Sequence, residues 1–172
     1  NVQAEKKVRM TQRLLDLAGI GADRLHVAWV SSAEAQRFVD VATTVTESIR
    51  SQGPLDESKH ALALEAAERT VNSEVIRWFV GKEVKTTTKG DVYGRPWDVE
   101  SFEKTLNRTL AREYEKSLIL SAIRAGAANP RAIRDMVGLD LRRISYLLAD
   151  LEKVSAVVFQ RMEDKKPVFA AL

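Results

Sequence analysis

The spacing of apolar residues in the last third of the chain predicts three helices followed by a β-hairpin. Apolar residues recur every three or four positions in residues 116–124, Pro130–Val137 and Leu141–Lys153, which is the period of one helix face. The third of these helices carries the longest stripe: Leu141, Ile144, Leu147, Leu148 and Leu151. Two β-rich runs, 156–162 and 167–172, come next and are joined by a charged tip. Stripes this short can be buried only against each other and against the hairpin.

The residues between these elements predict where each helix begins and ends. Asn129 precedes Pro130, and proline at the first helical position loses no hydrogen bond. Gly138 predicts a turn, and Asp140 is a helix cap. The order helix, short helix, tight turn, helix and hairpin is typical of a winged helix. We therefore predict a winged-helix-like domain over residues 98–172.

The front of the chain, residues 1–53, has an α–β–α pattern. An amphipathic helix over residues 4–18 is followed by the β-rich run LHVAWV at 25–30, which is typical of a strand covered on both faces. Ser31 and Glu34 have the spacing of a capping box, which predicts a helix over 33–51. A lone strand cannot form a sheet. Its partners could come from elsewhere in the chain, from a second copy or from a missing N-terminal segment, and we favour the last. This segment is then a remnant of an open α/β domain.

The middle of the chain, residues 54–97, predicts a long helix and an irregular connector. The helix covers 55–80, is capped by Asp56 and ends at Gly81, and the connector covers 82–97. Asp98 then caps a helix that either continues unbroken to Gly126 or kinks near Arg112. Its apolar residues are spaced by four: Phe102, Leu106, Leu110 and Tyr114. The predicted fold class is mainly α with minor β.

Composition narrows the functional classes. Hydrophobic residues make up 45% of the chain, which allows a core, and no apolar run approaches the ~18 residues of a membrane span. The 172 residues include no cysteine, which excludes disulfides, thiolate catalysis and cysteine-held iron–sulfur clusters within this chain. The first residue is Asn1, and we expect a fragment of a longer, cytoplasmic protein. No catalytic or metal-binding constellation is predicted, since His26 and His60 lie in different elements.

A winged helix raises the question of DNA binding. The candidate contacts lie on the third helix and the hairpin tip: Arg142, Arg143, Tyr146, Lys165 and Lys166. Residues 131–172 nevertheless contain eight basic and six acidic residues, which is a weak electrostatic footprint for a duplex. Packing or protein contact is the favoured role, and a DNA-binding transcriptional regulator is the alternative.

Trp97, directly before the cap Asp98, is predicted to pack on the helix that follows, and an exposed Trp78 or Trp97 would indicate a partner contact.

The front of the chain resembles the C-terminal half of the delta subunit of methyl-viologen-reducing hydrogenase. The resemblance rests on matching residues across the α–β–α pattern: Ala4-Glu5-Lys6, Leu14-Leu15, Gly19-Ile20, Arg24-Leu25, Trp29-Val30-Ser31, Glu34, Arg37-Phe38 and Val41. Longer members of the family also resemble the middle of the chain, at RWFVGKE (77–83) and GDVYG (90–94), and end in a winged-helix-like segment.

This resemblance implies electron transfer by the parent protein. Family members carry a [2Fe–2S] cluster on cysteines of an N-terminal half and relay electrons between a hydrogenase, or another donor, and heterodisulfide reductase. The present chain has no cysteine to match those ligands. The resemblance therefore implies a non-redox portion of an oxidoreductase complex subunit that docks against hydrogenase and heterodisulfide reductase subunits. Whether the chain forms a homo-oligomer stays open.

Overall fold

The structure, a computed structural model, describes residues 2–172 and is mainly α-helical with one small antiparallel sheet. The predicted fold class is confirmed. In chain order the elements are α1 (Val2–Leu17), a short 3-10 helix (Ala22–Arg24), α2 (Ala35–Gln52), α3 (Glu57–Asn72), α4 (Glu74–Thr88), α5 (Val99–Arg124), α6 (Pro130–Val137), α7 (Leu141–Lys153), β1 (Val157–Glu163) and β2 (Lys166–Ala171). None of the helices in the described part of the chain combines the length and the apolar character needed to cross a membrane.

The chain forms two compact units, each built from two separate stretches of sequence. The first unit contains the residues up to His60 together with Trp78–Asn107. The second unit contains Ala61–Arg77 and Arg108–Leu172.

The core of the second unit is built from the elements that the apolar spacing predicts. The bounds of α6 and α7 agree with the prediction. Asn129 caps α6 by accepting hydrogen bonds from the backbone N–H groups of Arg131 and Ala132, each at 3.1 Å. The buried side chains of this core are Ile119, Ala122, Ile123, Ala127, Ile133, Ile144, Leu147, Leu148, Leu151, Val157 and Phe169. This cluster buries the stripes of three helices against one another and against the hairpin.

The hairpin at the end of the chain pairs β1 with β2 in antiparallel register, with Val157 opposite Ala171. Asp164 and Lys165 both have positive φ at its tip, as a two-residue turn of the mirror-image type requires. The backbone N–H of Phe169 donates to the carbonyl of Ala128 at 2.7 Å. This bond joins the sheet to the connection between α5 and α6.

In the first unit, α5 begins with a cap and a hydrophobic staple. The Asp98 carboxylate accepts from the backbone N–H of Ser101 at 2.8 Å. The rings of Trp97 and Phe102 meet edge to face at 6.1 Å between centroids, which confirms the predicted packing of Trp97. Phe102 is almost completely buried, and its ring also contacts Phe79. The helix then runs without interruption to Arg124, as the first of the two alternatives predicts.

The prediction of one helix over residues 55–80 is wrong. The chain forms α3 and α4 instead, with a break at Ser73, whose hydroxyl accepts from the backbone N–H of Ile76. A serine followed by Glu74 is itself a helix-start signal, and it outweighs the continuous apolar spacing at this point. Gly81 does not end a helix but lies inside α4, where glycine costs about 1 kcal/mol relative to alanine. The connector is consequently shorter than predicted, because α4 continues to Thr88.

The predicted strand at residues 25–30 is also not formed. These residues have no regular secondary structure, although Leu25 has extended dihedral angles. The described residues do not cover this segment, since Val27 and Trp29 are exposed. A strand requires a neighbour to satisfy its backbone groups, and no described residue supplies one.

Candidate interaction surface

The first unit exposes an apolar surface between residues 25–30 and one side of α2. We call it the N-terminal apolar face and define it by Val27, Trp29, Phe38, Val41 and Val45. These side chains line an open depression of about 870 Å³. Trp29 is 43% exposed and Phe38 is 63% exposed, so two large aromatic side chains of the same depression are open to solvent. His26 and Asp40 lie at its rim.

Helix α2 has the sequence pattern of a helix with one buried side, but the structure buries none of its residues. Phe38, Val41 and Val45 fall on one stripe of this helix, yet none of its 18 residues is buried. Helix α7, which is five residues shorter, buries four. Most of the stability of a helix in a protein comes from packing of its apolar side. The N-terminal apolar face is therefore a surface suited to being covered.

The backbone beside this face is also unpaired. Within the described residues, no backbone–backbone hydrogen bond involves residues 26–30. The neighbouring carbonyl of Leu25 accepts from the side chain of Gln12 at 2.7 Å. Residues 26–30 thus present free N–H and C=O groups next to exposed apolar side chains, as an open sheet edge does.

Polar contacts hold the two sides of the face in position. The Arg24 guanidinium donates to the carbonyls of Gly53 at 3.1 Å and Gln52 at 3.2 Å. The Gln52 side chain donates to the carbonyl of Asp23 at 3.0 Å. These bonds join the short 3-10 helix to the C-terminal end of α2. Polar contacts, and not packing on the apolar side of α2, therefore connect the two segments.

The entry to α2 forms only part of the predicted capping box. The Glu34 carboxylate accepts from the backbone N–H of Ser31 at 2.8 Å, as a capping box requires. The regular helix begins at Ala35 rather than at residue 33, and its cap residue is Glu34. The Ser31 N–H, followed by the Arg37 guanidinium, holds the pKa of the Glu34 carboxyl below its ordinary value.

A second carboxylate near the face is also held in its charged form. The pKa of Glu5 lies below its ordinary value, chiefly because Arg9 donates to the carboxylate at 2.7 Å, with a smaller contribution from the Trp29 indole. Both Glu5 and Glu34 are therefore anions at neutral pH. Neither carboxylate therefore provides an acid or base that titrates near pH 7.

Two of the predicted nucleic-acid contacts on α7, Arg143 and Tyr146, make contacts within the second unit. The Arg143 guanidinium donates to the Glu115 carboxylate at 2.7 Å and lies 5.8 Å from the centre of the Tyr146 ring. Arg112 lies 5.4 Å from the same ring and pairs with Asp150. The structure therefore brings Arg143 and Tyr146 together. Both arginines near the Tyr146 ring, Arg112 and Arg143, already have a carboxylate partner.

The other candidates for a nucleic-acid contact are not part of this cluster. Arg142 is exposed at the start of α7, where its backbone N–H donates to the Asp140 cap at 2.9 Å. Lys165 lies in the tight turn of the hairpin, and Lys166 begins β2. Both are exposed.

A polar groove of about 540 Å³ lies in the second unit between α3, α5 and the end of α7. Four of its five charged side chains form ion pairs with each other: Arg69 with Glu65 at 2.9 Å, and Lys116 with Glu113 at 2.8 Å. The groove is thus largely self-neutralised and shows no group prepared for chemistry.

Two further tryptophans of the first unit are exposed. Trp78 is 54% exposed and Trp97 is 44% exposed, although one side of Trp97 packs on Phe102. An exposed aromatic ring is a common anchor in protein interfaces. The exposure that this prediction requires is present, and the role of the two rings as partner contacts stays a prediction.

Comparison with known proteins places the N-terminal apolar face in a recognised family segment. Residues 1–53 match the family of the methyl-viologen-reducing hydrogenase delta subunit, which confirms the resemblance that the sequence of this segment indicates. Among the relatives is the vhu iron-sulfur subunit of the F420-non-reducing hydrogenase of Methanocaldococcus jannaschii, which is 41% identical over 54 residues, or 31% of this chain and 40% of that protein. The proteins of the same name from Methanococcus voltae and Methanococcus maripaludis are 35% and 33% identical over the same length and with the same shares of each chain.

The chain thus spans about two fifths of the length of these relatives. No solved structure matches the chain. The matched segment contains the whole N-terminal apolar face, whereas the resemblance predicted for residues 77–94 and the winged-helix prediction lie outside it.

The sequence pattern identifies the residues of this face but predicts that they are buried, whereas the face is open in the structure. The β-rich composition of residues 25–30 and the stripe on α2 both predict buried surfaces. The lone predicted strand is the available signal that the burial would have to come from elsewhere.

Proposed function

We propose that this chain is the non-redox part of an iron–sulfur subunit of a hydrogenase complex and that it acts in docking. The observation that carries the proposal is the exposed apolar face within a segment that is 41% identical to part of a hydrogenase iron-sulfur subunit. A surface that combines aromatic side chains, aliphatic side chains and free backbone groups is suited to protein contact and not to catalysis.

The parent protein is proposed to carry a [2Fe–2S] cluster and to pass electrons from a hydrogenase, or another donor, to heterodisulfide reductase. The residues of this chain do not fit such a cluster, because the sequence has no cysteine to hold it. The proposed contribution of this chain is therefore mechanical. It would hold the cluster-bearing portion and the partner subunits in place, so no redox step is assigned to its residues.

The alternative role as a DNA-binding regulator has less support from the second unit. Arg143 and Arg112 are both paired with carboxylates. Salt bridges inside the protein would have to be exchanged for phosphate contacts, which lowers the gain expected from each cation.

A chimera tests the proposed function. The 54 matched residues of the Methanocaldococcus jannaschii iron-sulfur protein are replaced by those of this chain, and the product is expressed with the other subunits of the F420-non-reducing hydrogenase. We expect the chimera to copurify with those subunits in an amount similar to that of the unaltered iron-sulfur protein. The iron-sulfur protein lacking the matched residues is the control and should be lost from the complex. An iron-loaded chimera that does not copurify would contradict the proposal.

A further inference from the structure

Residues 25–30 have the composition of a strand, an unpaired backbone and no strand neighbour. Val27, Trp29 and Val30 are residue types that favour sheets. The backbone groups of residues 26–30 have no backbone partner in the described part of the chain. A segment of this kind becomes ordered as a strand when another strand is added beside it, because main-chain hydrogen bonds then form along its length.

We propose that residues 25–30 pair with a β-strand from the remainder of a delta subunit, and that this remainder covers the N-terminal apolar face. The inference deepens the proposed function and rests on it. It names the surface that docks, the kind of contact and the occupant.

The relatives indicate this occupant. The match with the Methanocaldococcus jannaschii protein covers 40% of its length, so about 60% of that protein lies outside the matched segment. The matched segment cannot complete a sheet by itself, since it holds one β-rich run between two helices. The additional strands and the cover for α2 must therefore come from polypeptide outside it.

The geometry favours one continuous contact over two separate ones. Trp29 and Phe38 belong to different elements, yet both line the same depression of about 870 Å³. A strand placed beside residues 25–30 would extend a sheet whose face lies against Phe38, Val41 and Val45. The same added layer would thus satisfy the backbone and bury the stripe of α2.

Amide hydrogen exchange of the chimera described above tests the pairing. In this chain alone, the amides of residues 26–30 should exchange at nearly the rate of an unstructured peptide. In the chimera they should exchange at least about tenfold more slowly, because opening the new strand must precede exchange. Fast exchange at these residues in an iron-loaded chimera would overturn the proposal.

Two substitutions in the chimera separate the face from the rest of α2. Phe38→Ser removes a side chain that lines the face and should restore fast exchange at residues 26–30. Val39→Ser is the matched control, since Val39 is an exposed apolar residue of the same helix that does not line the depression. Equal effects of the two substitutions would contradict a specific contact through the face.

The remaining outcomes are also decisive. A chimera that takes up no iron counts against the proposal, because this segment would then not fit the remainder of a delta subunit. A dimer of this chain alone that protects residues 26–30 and is dissociated by Phe38→Ser would assign the face to a second copy instead. A protected face without copurification of hydrogenase subunits would support the inference and remove the proposed function. Copurification with fast exchange at residues 26–30 would support the proposed function and contradict the strand pairing.

Discussion

Tyr146 lies beside two guanidinium groups from different helices. Arg112 and Arg143 are 5.4 Å and 5.8 Å from its ring centre, which is within the range of a cation–π interaction. The Arg112 guanidinium holds the pKa of the Asp150 carboxyl below its ordinary value by hydrogen bonding to it. Arg143 and Tyr146, which look like part of an outward-facing basic surface in the sequence, thus belong to a local network. Their availability depends on partners that lie tens of positions away in the chain.

A single buried side chain should account for a large part of the stability of the second unit. Ile133→Ala removes a completely buried side chain, so we expect a loss of about 2–5 kcal/mol in the free energy of unfolding. Met136→Ala on the same helix is the control, because Met136 is 45% exposed and should change stability by less than about 1 kcal/mol. Urea denaturation followed by circular dichroism measures both. Similar losses for the two variants would show that this core is not packed as described.

At the scale of the element, capping residues decide where helices begin and end. Ser73 divides a continuous apolar pattern into α3 and α4, whereas Gly81 leaves α4 intact. Asp98 begins α5, and the Trp97–Phe102 contact fixes the entry of the chain. A side-chain bond to a free backbone N–H group thus outweighs periodicity at Ser73.

The cap at Asp98 should make the stability of the folded chain depend on pH. The backbone N–H of Ser101 is the main cause that lowers the pKa of the Asp98 carboxyl in the folded chain. A carboxyl with a lower pKa in the folded state stabilises the fold above its unfolded-state pKa, and this stability is lost as the pH falls through the folded-state value. We therefore expect the Tm to fall between about pH 5 and about pH 2 more steeply in the unaltered chain than in Asp98→Asn.

Asparagine is a suitable control for this experiment because it caps helices without titrating. Other carboxylates of the chain contribute to acid unfolding in both proteins, so the difference between the two curves isolates Asp98. Parallel curves over the whole range would show that folding does not lower the pKa of the Asp98 carboxyl.

At the scale of the whole molecule, charge is nearly balanced and the described structure leaves an apolar face uncovered. The net charge is +3, from 27 basic and 24 acidic residues. Ion pairs among the described residues engage Arg143, one of the cations that a DNA-binding role would need, and Arg112 beside it. The chain is consequently better suited to protein contact through its apolar side chains than to binding a polyanion.

Duplex DNA binding should therefore be weak and insensitive to α7. With Arg142→Ala and Arg143→Ala combined, we expect the affinity for a random duplex of about 30 base pairs at about 50 mM salt to change by less than about twofold. Fluorescence anisotropy over a series of salt concentrations measures both the affinity and its salt dependence. A loss of about tenfold or more with a shallower salt slope would restore the DNA-binding hypothesis.

The sequence by itself determined the elements whose signals are local. The bounds of α6 and α7, the cap at Asp98 and the staple at Trp97 follow from residues a few positions apart, so they could be predicted. The four-residue spacing of Phe102, Leu106, Leu110 and Tyr114 likewise predicts a stripe that is buried in full. The resemblance in residues 1–53 also depends only on sequence, and it is confirmed.

Only the tertiary structure decided which of the predicted surfaces are covered. The stripes of α2 and α7 look alike as patterns. Four residues of α7 are nevertheless buried in a core with α6 and the hairpin, whereas no residue of α2 is buried. Residues 25–30 have strand composition but no strand, since pairing requires a neighbour that the described residues do not provide. Arg143 is paired because the fold brings Glu115 to it. Burial and strand pairing depend on contacts between distant parts of a chain. Local spacing predicts only which side of an element is apolar, and not what covers it.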